Sequence, residues 1–221
     1  MKKWMTLIAA SMALASVAVL AAPTTELKVG GTIKARACSF DIGNNGYITY
    51  DLIPSSQLKT GQYTALQEKS VDFAINCDAA TALAIKVVDN RASSLVGGSE
   101  VGTAAGNVND PHFVLYGLGT QDGKNIGAFR LRVPSVSVDG QPVSVLYGYL
   151  DWGSGGSAFY SYRGDIYKNY YTYFVNVGRT WAGKQYVGQM AVTPVLNKRE
   201  LLPTSSDINL DGSVTFELFY R

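Results

Sequence analysis

Apolar and polar residues alternate with the period of a β-pleat along much of this chain. Val214, Phe216, Leu218 and Tyr220 take every second position, with Thr215 and Glu217 between them. That period of two predicts a strand with one buried face, held to the penultimate residue. Chain ends ordinarily fray, so such an end implies a pairing partner. Val71, Phe73, Ile75 and Cys77 alternate in the same way, as do Leu83, Ile85 and Val87 with Lys86 outward. The few residues between the two runs predict a hairpin-like corner. Phe129, Leu131 and Val133 alternate against Arg130 and Arg132, which predicts a half-exposed strand. Val136 and Val138, then Val143 and Val145, flank Asp139-Gly140, a strong hairpin signal.

Weaker patterns fill the intervals. Ile33, Ala35 and Ala37 share a face against Lys34 and Arg36, and Cys38 is out of phase with them, which predicts a break there. Asn44-Asn45-Gly46 and the run 121–124 read as turns, and 47–52 as a short strand closed by Pro54. Residues 55–66, 95–109, 148–164 and 196–206 read as irregular or loop, and 113–116 as strand. Residues 170–177 and 185–195 read as strands, the second ended by Pro194. Beyond the N-terminal segment no run of about ten residues has helical period. Roughly eight to ten short strands separated by turn signals predict an all-β fold, a sandwich or barrel.

The chain opens on Met1-Lys2-Lys3, an apolar run from Trp4 to Leu20, and Ala21-Ala22-Pro23. A charged start, an apolar stretch and small residues predict a secretory signal over 1–21, with Val19 and Ala21 at the cleavage-site positions. The alternative is a membrane anchor, which needs about 20 apolar residues; Thr6, Ser11 and Ser16 interrupt this run. Residues 22–30 then form a short polar extension, and 31–221 a single domain of ordinary size. Net charge is +2 with basic residues scattered, which gives no footprint for nucleic acid. A charged fraction of 16% with 23 glycines and 14 tyrosines suits an exported β protein. The two cysteines, Cys38 and Cys77, form either one disulfide closing a loop of about 40 residues or two free thiols; an oxidising compartment favours the disulfide.

Candidate chemistry is sparse. His112 is the one histidine, so a serine or cysteine nucleophile finds few bases and a zinc site few ligands. The chain reads as non-enzymatic, without cofactor or metal. Asp207, Asn209, Asp211 and Gly212 match the first half of a calcium-loop pattern, but the closing acid position is Leu218, so a strand and an Asp-Gly turn read better. Arg163-Gly164-Asp165 spells an adhesive tripeptide in a loop-like stretch. Trp152, Tyr160, Tyr162, Tyr167 and Tyr170 crowd one region. Exposed, they could stack on a sugar or a protein; alternatively they cover a core edge and keep their hydroxyls wet.

The run 30–38 ending in Cys38, the run 71–77 ending in Cys77, and a last strand with Tyr220 in the penultimate place resemble the plan of chaperone–usher pilus subunits. The runs 88–94, 116–119, 125–128 and 208–215 more closely resemble an exported bacterial family known as a domain of unknown function (number 1120). The pilin resemblance implies an immunoglobulin-like sandwich lacking its final strand, with an acceptor groove along Val214, Phe216, Leu218 and Tyr220. It implies as partners a periplasmic chaperone, an outer-membrane usher and other pilus subunits, with a host glycan or protein at a tip, and a path through the periplasm to the cell surface. The N-terminal residues would be the donor strand. Here that extension is about eight residues, about 26 Å as a strand, with only Leu27 and Val29 apolar, which suits a terminal subunit that accepts a strand without donating one. A self-contained secreted module that binds a glycan or protein is the alternative.

Overall fold

The computed structural model describes residues 25–30, 37–149, 158–176, 179–203 and 207–220. The expected signal segment and the strand expected over 32–37 lie outside these residues, apart from 37. The chain divides into two units, Met1–Lys34 and Ala35–Arg221. In the first, the described residues 25–30 have no regular structure, and Leu27 and Val29 are exposed.

The second unit is all-β. Its strands are β1 (Cys38–Ile42), β2 (Thr64–Ala65), β3 (Lys69–Asp89), β4 (Leu115–Gly117), β5 (Thr120–Gln121), β6 (Lys124–Asn125), β7 (Gly127–Val138), β8 (Gln141–Pro142), β9 (Ser144–Gly148), β10 (Ala158–Tyr160), β11 (Tyr171–Asn176), β12 (Arg179–Thr180), β13 (Ala182–Leu196) and β14 (Val214–Tyr220). Two short helices, α1 (Ser99–Ala104) and α2 (Pro111–Val114), lie between β3 and β4.

The long strand β3 organises the fold. The runs expected to meet at a hairpin corner are one continuous strand. Their apolar positions are all odd-numbered, so the pleat keeps its phase from Val71 to Val87, and Asp78-Ala79-Ala80-Thr81-Ala82 holds no Gly or Pro to turn the chain. The first half of β3 is flanked by β1 and β13, the second by β14 and β11. It thus belongs to two antiparallel layers, β1–β3–β13–β7–β4 and β14–β3–β11–β9–β10. The neighbouring strand β13 shifts register between Gly183 and Gln185, opposite this crossing. Bends and bulges are what let a strand change layer.

Alternation then builds the core. Phe40, Ile75, Tyr186 and Val138 lie opposite one another across the first layer. Leu218, Ile85, Thr172 and Tyr147 do so across the second. Phe73, Ile75, Leu131, Tyr186 and Met190 from one layer share a buried cluster with Leu83, Ile85, Val87, Val145 and Phe174 from the other. The hydroxyl of Tyr186 is satisfied within it by the carbonyls of Thr81 and Trp181, and burial pushes its pKa up to about 12. The hairpin expected at Asp139-Gly140 forms, and the turn expected at 121–124 closes a second one, with φ of 48° and 79° at Asp139 and Gly140 and 50° and 72° at Asp122 and Gly123. Positive φ at both turn residues matches the twist of the flanking strands.

Five local expectations fail. Arg130 is 5% exposed, not outward in water, because α1, α2 and the segment around Tyr167 cover that face of the first layer. The stretch 95–109 holds helix α1, which buries Val101 but is too short to show a period. Residues 111–114 are helical and only 115–117 are strand. Residues 47–52 pair with no described strand, and Tyr47 and Leu52 are exposed. Finally, β13 continues through Pro194. Beyond Val192 its β3 side is taken over by the two-residue β2, so the missing N–H interrupts no long ladder.

Candidate functional site

The two layers meet at a rim formed by their edge strands, β1 and β14. Among the described residues β1 pairs only with β3, and so does β14. The backbone of Val214–Tyr220 makes no hydrogen bond with a described residue outside the β3 ladder. That edge, without a pairing strand among the described residues, is seven residues long, an unusual length for an open edge.

The side chains at this rim are apolar and only half covered. Phe40 and Ile42 on β1, and Val214, Phe216 and Leu218 on β14, are all of intermediate burial, although each points inward and packs against the core. Phe40 meets Phe216 edge-on across the rim with ring centroids 5.5 Å apart, and meets Phe73 at 6.0 Å. The outward alternates Thr215 and Glu217 are exposed. Phe219 is in phase with these outward residues but apolar, and packs on the outer face of its layer, where its ring meets Tyr171 edge-on at 4.9 Å. Tyr220 is 47% exposed, and its hydroxyl accepts a hydrogen bond from the Cys38 N–H at 3.3 Å. It therefore lies at the end of the furrow, not along its floor. Cys38 and Cys77 are joined as a disulfide where they face each other in the β1–β3 ladder.

Of the rim residues, Val214, Phe216, Leu218 and Tyr220 were legible from alternation. Phe40 and Ile42 were missed, yet their signal was present: with Cys38 they form an even-numbered alternation of their own, immediately after the phase break.

The aromatic residues do not form one surface. Trp152 lies outside the described residues, as does the Tyr162 side chain. Tyr167 is buried and stacks on Tyr147 at 3.7 Å. Tyr170 stands edge-on to Tyr147 at 5.4 Å. Tyr160 is 70% exposed, but it pairs with Leu146 on the opposite face of the layer from Phe159 and Tyr147.

The tripeptide at 163–165 is not displayed as a ligand. The Asp165 carboxylate is 3% exposed and holds the Arg130 guanidinium through two bonds of 2.5 and 2.9 Å. Gly164 has φ +77° and lies so close to the Val133 carbonyl that a Cβ would sit 1.9 Å from it. In the calcium-like stretch, the Asp211 carboxylate is taken by Arg91 at 2.8 and 3.0 Å, and that pairing holds its pKa below the usual carboxylate value. No group of three or more His, Cys, Asp or Glu among the described residues could hold a metal ion.

Comparison with known proteins adds a relationship without an activity. A family model described as a protein of unknown function (DUF1120) matches residues 27–130. An uncharacterized protein of Escherichia coli (strain K12), YhcF, is 27% identical over 232 residues, covering 96% of this chain and 93% of its own. No solved structure matches the chain significantly.

Proposed function

Residues 27–130 match the DUF1120 family model and the chain resembles YhcF along most of its length; we propose that it is an exported, non-enzymatic module of fimbrial-subunit type that receives an extended strand from another chain along β14. The observation that carries this reading is an edge of β14 with no pairing strand among the described residues, together with a half-covered inward row, Val214, Phe216 and Leu218, whose Phe216 meets Phe40 across the rim. A strand added there would extend the second layer and cover the flanks of those side chains. Main-chain bonds would supply affinity, and alternate side chains entering the furrow would fix register. An edge that is otherwise an aggregation hazard thereby becomes an assembly device.

The partners on this reading are a periplasmic chaperone, then an outer-membrane usher and neighbouring subunits, and the destination is the cell surface. The test is co-purification of the exported full chain with a fimbrial chaperone from the periplasm. The intact chain should be retained and a chain truncated before Leu218 should not. Equal retention of the truncated chain would remove strand addition at β14 as the mechanism.

A further inference from the structure

A second surface lies at the far edge of the same layer. The cross-strand row that begins at Leu218 continues through Ile85, Thr172 and Tyr147 to Phe159 on β10. At the β14 end the row is aliphatic and feeds the furrow. At the β10 end it becomes aromatic. Phe159 lies 5.5 Å from Tyr147, and Tyr149 and Phe113 lie 5.4 and 5.9 Å from Tyr170. The buried Tyr167 stacks beneath Tyr147 and fixes the group from below. Tyr149 is 56%, Phe159 50% and Phe113 39% exposed. Rings that hold one another by edge and face contacts lose little freedom when they bind, so this is a preformed platform.

The polar groups around the platform select among ligands. Asp110 is exposed at the start of α2, where its carbonyl accepts the Phe113 N–H at 2.9 Å; burial is the main cause that raises the Tyr167 phenol pKa, and the Asp110 charge adds to the rise there and at Tyr170. The Tyr170 phenol is held up first by its hydrogen bond with Tyr149. Asn169, next to Tyr170 in the chain, is exposed. The nearby cation is turned away: Lys168 is 13% exposed, lies 3.8 Å from Asp89 and sits over the Tyr116 ring. The platform therefore offers aromatic faces, phenol hydroxyls and one carboxylate. An anionic ligand would meet Asp110 with its own charge. A purely aliphatic ligand would leave the phenols and the carboxylate without partners. A ligand with apolar C–H faces rimmed by hydroxyl donors satisfies both sets of groups.

We propose that the platform of Tyr147, Tyr149, Phe159, Tyr170 and Phe113, with Asp110 at its margin, binds a neutral oligosaccharide. The site is separate from the β1–β14 rim, so a strand accepted at one edge leaves the other open.

The test is isothermal titration of the full mature chain with cellohexaose, chitohexaose, maltohexaose and laminarihexaose, with a hyaluronan hexasaccharide as the acidic comparison. At least one neutral hexasaccharide should bind in preference to the acidic one. Phe159→Ala and Tyr149→Ala should each weaken that binding about tenfold, which corresponds to the loss of one ring stack. Phe159→Tyr should retain it, and Tyr160→Ala, on the opposite face, should leave it unchanged. Thermal unfolding near the wild-type midpoint shows that the variants are folded. Binding of no neutral hexasaccharide, preference for the acidic one, or an equal loss in Tyr160→Ala each overturns the proposal.

Discussion

The Tyr220 hydroxyl accepts a hydrogen bond from the backbone N–H of Cys38 at 3.3 Å, so the ends of the two edge strands are tied to each other directly. Beneath that tie, Phe216 and Phe40 touch across the same rim. The rim is thus closed at one end by a polar contact and left half open along its apolar length. Tyr220→Phe removes the acceptor and keeps the ring. Because the site is exposed, water replaces the bond, and the expected cost is about 0.5–1 kcal/mol. The readout is amide exchange: the Cys38 N–H should exchange faster in the variant while amides of the β3–β13 ladder keep their rates. An unchanged Cys38 rate would show that the contact does not hold the strand ends together.

The disulfide should matter more than its exposed neighbour. It closes a loop with a sequence separation of 39 between Cys38 and Cys77. On the chain-entropy account such a loop is worth about 4 kcal/mol. Replacing both cysteines by serine should lower unfolding free energy in urea by about that amount, with little change in the slope of the transition. Since β1 pairs with no described strand but β3, over five residues, the variant should also loosen the Phe40 wall of the furrow. A stability change under about 1 kcal/mol would mean that the unfolded chain already keeps these residues close.

The buried pair Arg130–Asp165 separates a structural carboxylate from an adhesive one. Asp165→Ala leaves the Arg130 charge, 5% exposed, with the Ala105 carbonyl at 3.3 Å as its remaining described partner. Breaking one side of a buried pair costs about 3–5 kcal/mol, and the midpoint of thermal unfolding should fall by roughly 6–20 °C. Arg163→Ala, at an exposed position, should move stability by no more than about 0.5 kcal/mol. Comparable midpoints for the two variants would show that the fold does not depend on the pair.

These cases show what the sequence made legible. Period-two alternation identified β14, the first half of β7 and both halves of β3, because the inward face of a sandwich layer imposes that period directly; β11 and β13 showed only as runs of apolar, aromatic and β-branched residues. It could not say that β3 is one strand, although the shared odd phase of Val71 and Val87 carried the information. It assigned Arg130 to solvent because alternation reports two faces without saying what covers each; here α1 and the Asp165 turn cover the second. The rim was half legible for the same reason. Alternation marks Phe216 as inward, but that Phe40 faces it across 5.5 Å is a tertiary contact. The aromatic region was visible as composition only. Register, with Phe159 opposite Tyr147 and Tyr160 opposite Leu146, sorted its rings onto two faces.

Glu68 receives the Arg132 guanidinium through both carboxylate oxygens, with Nε at 2.7 Å, and the Thr193 hydroxyl at 3.1 Å. The hydrogen bond from Arg132 is the main reason its pKa lies below the ordinary glutamate value. A carboxyl whose folded pKa is depressed adds stability that is complete above its unfolded pKa, about 4.3, and is lost as pH falls through the lower folded value. Asp211, held by Arg91, and Glu200, held by backbone N–H groups including that of Gly61, are shifted in the same direction, so wild-type stability should fall with acidification through several groups together. Glu68→Gln keeps a hydrogen-bond acceptor but removes one titrating group. Urea unfolding of both proteins between neutral and acid pH should therefore show the largest gap at neutral pH, with the wild type more stable, and the gap should narrow once pH drops below the glutamate range. Glu68 is about one-third exposed, so the gap at neutral pH should be modest, and its narrowing is the diagnostic feature. A gap that stays constant across the range would place the stabilisation in packing around Glu68 instead of in its charge.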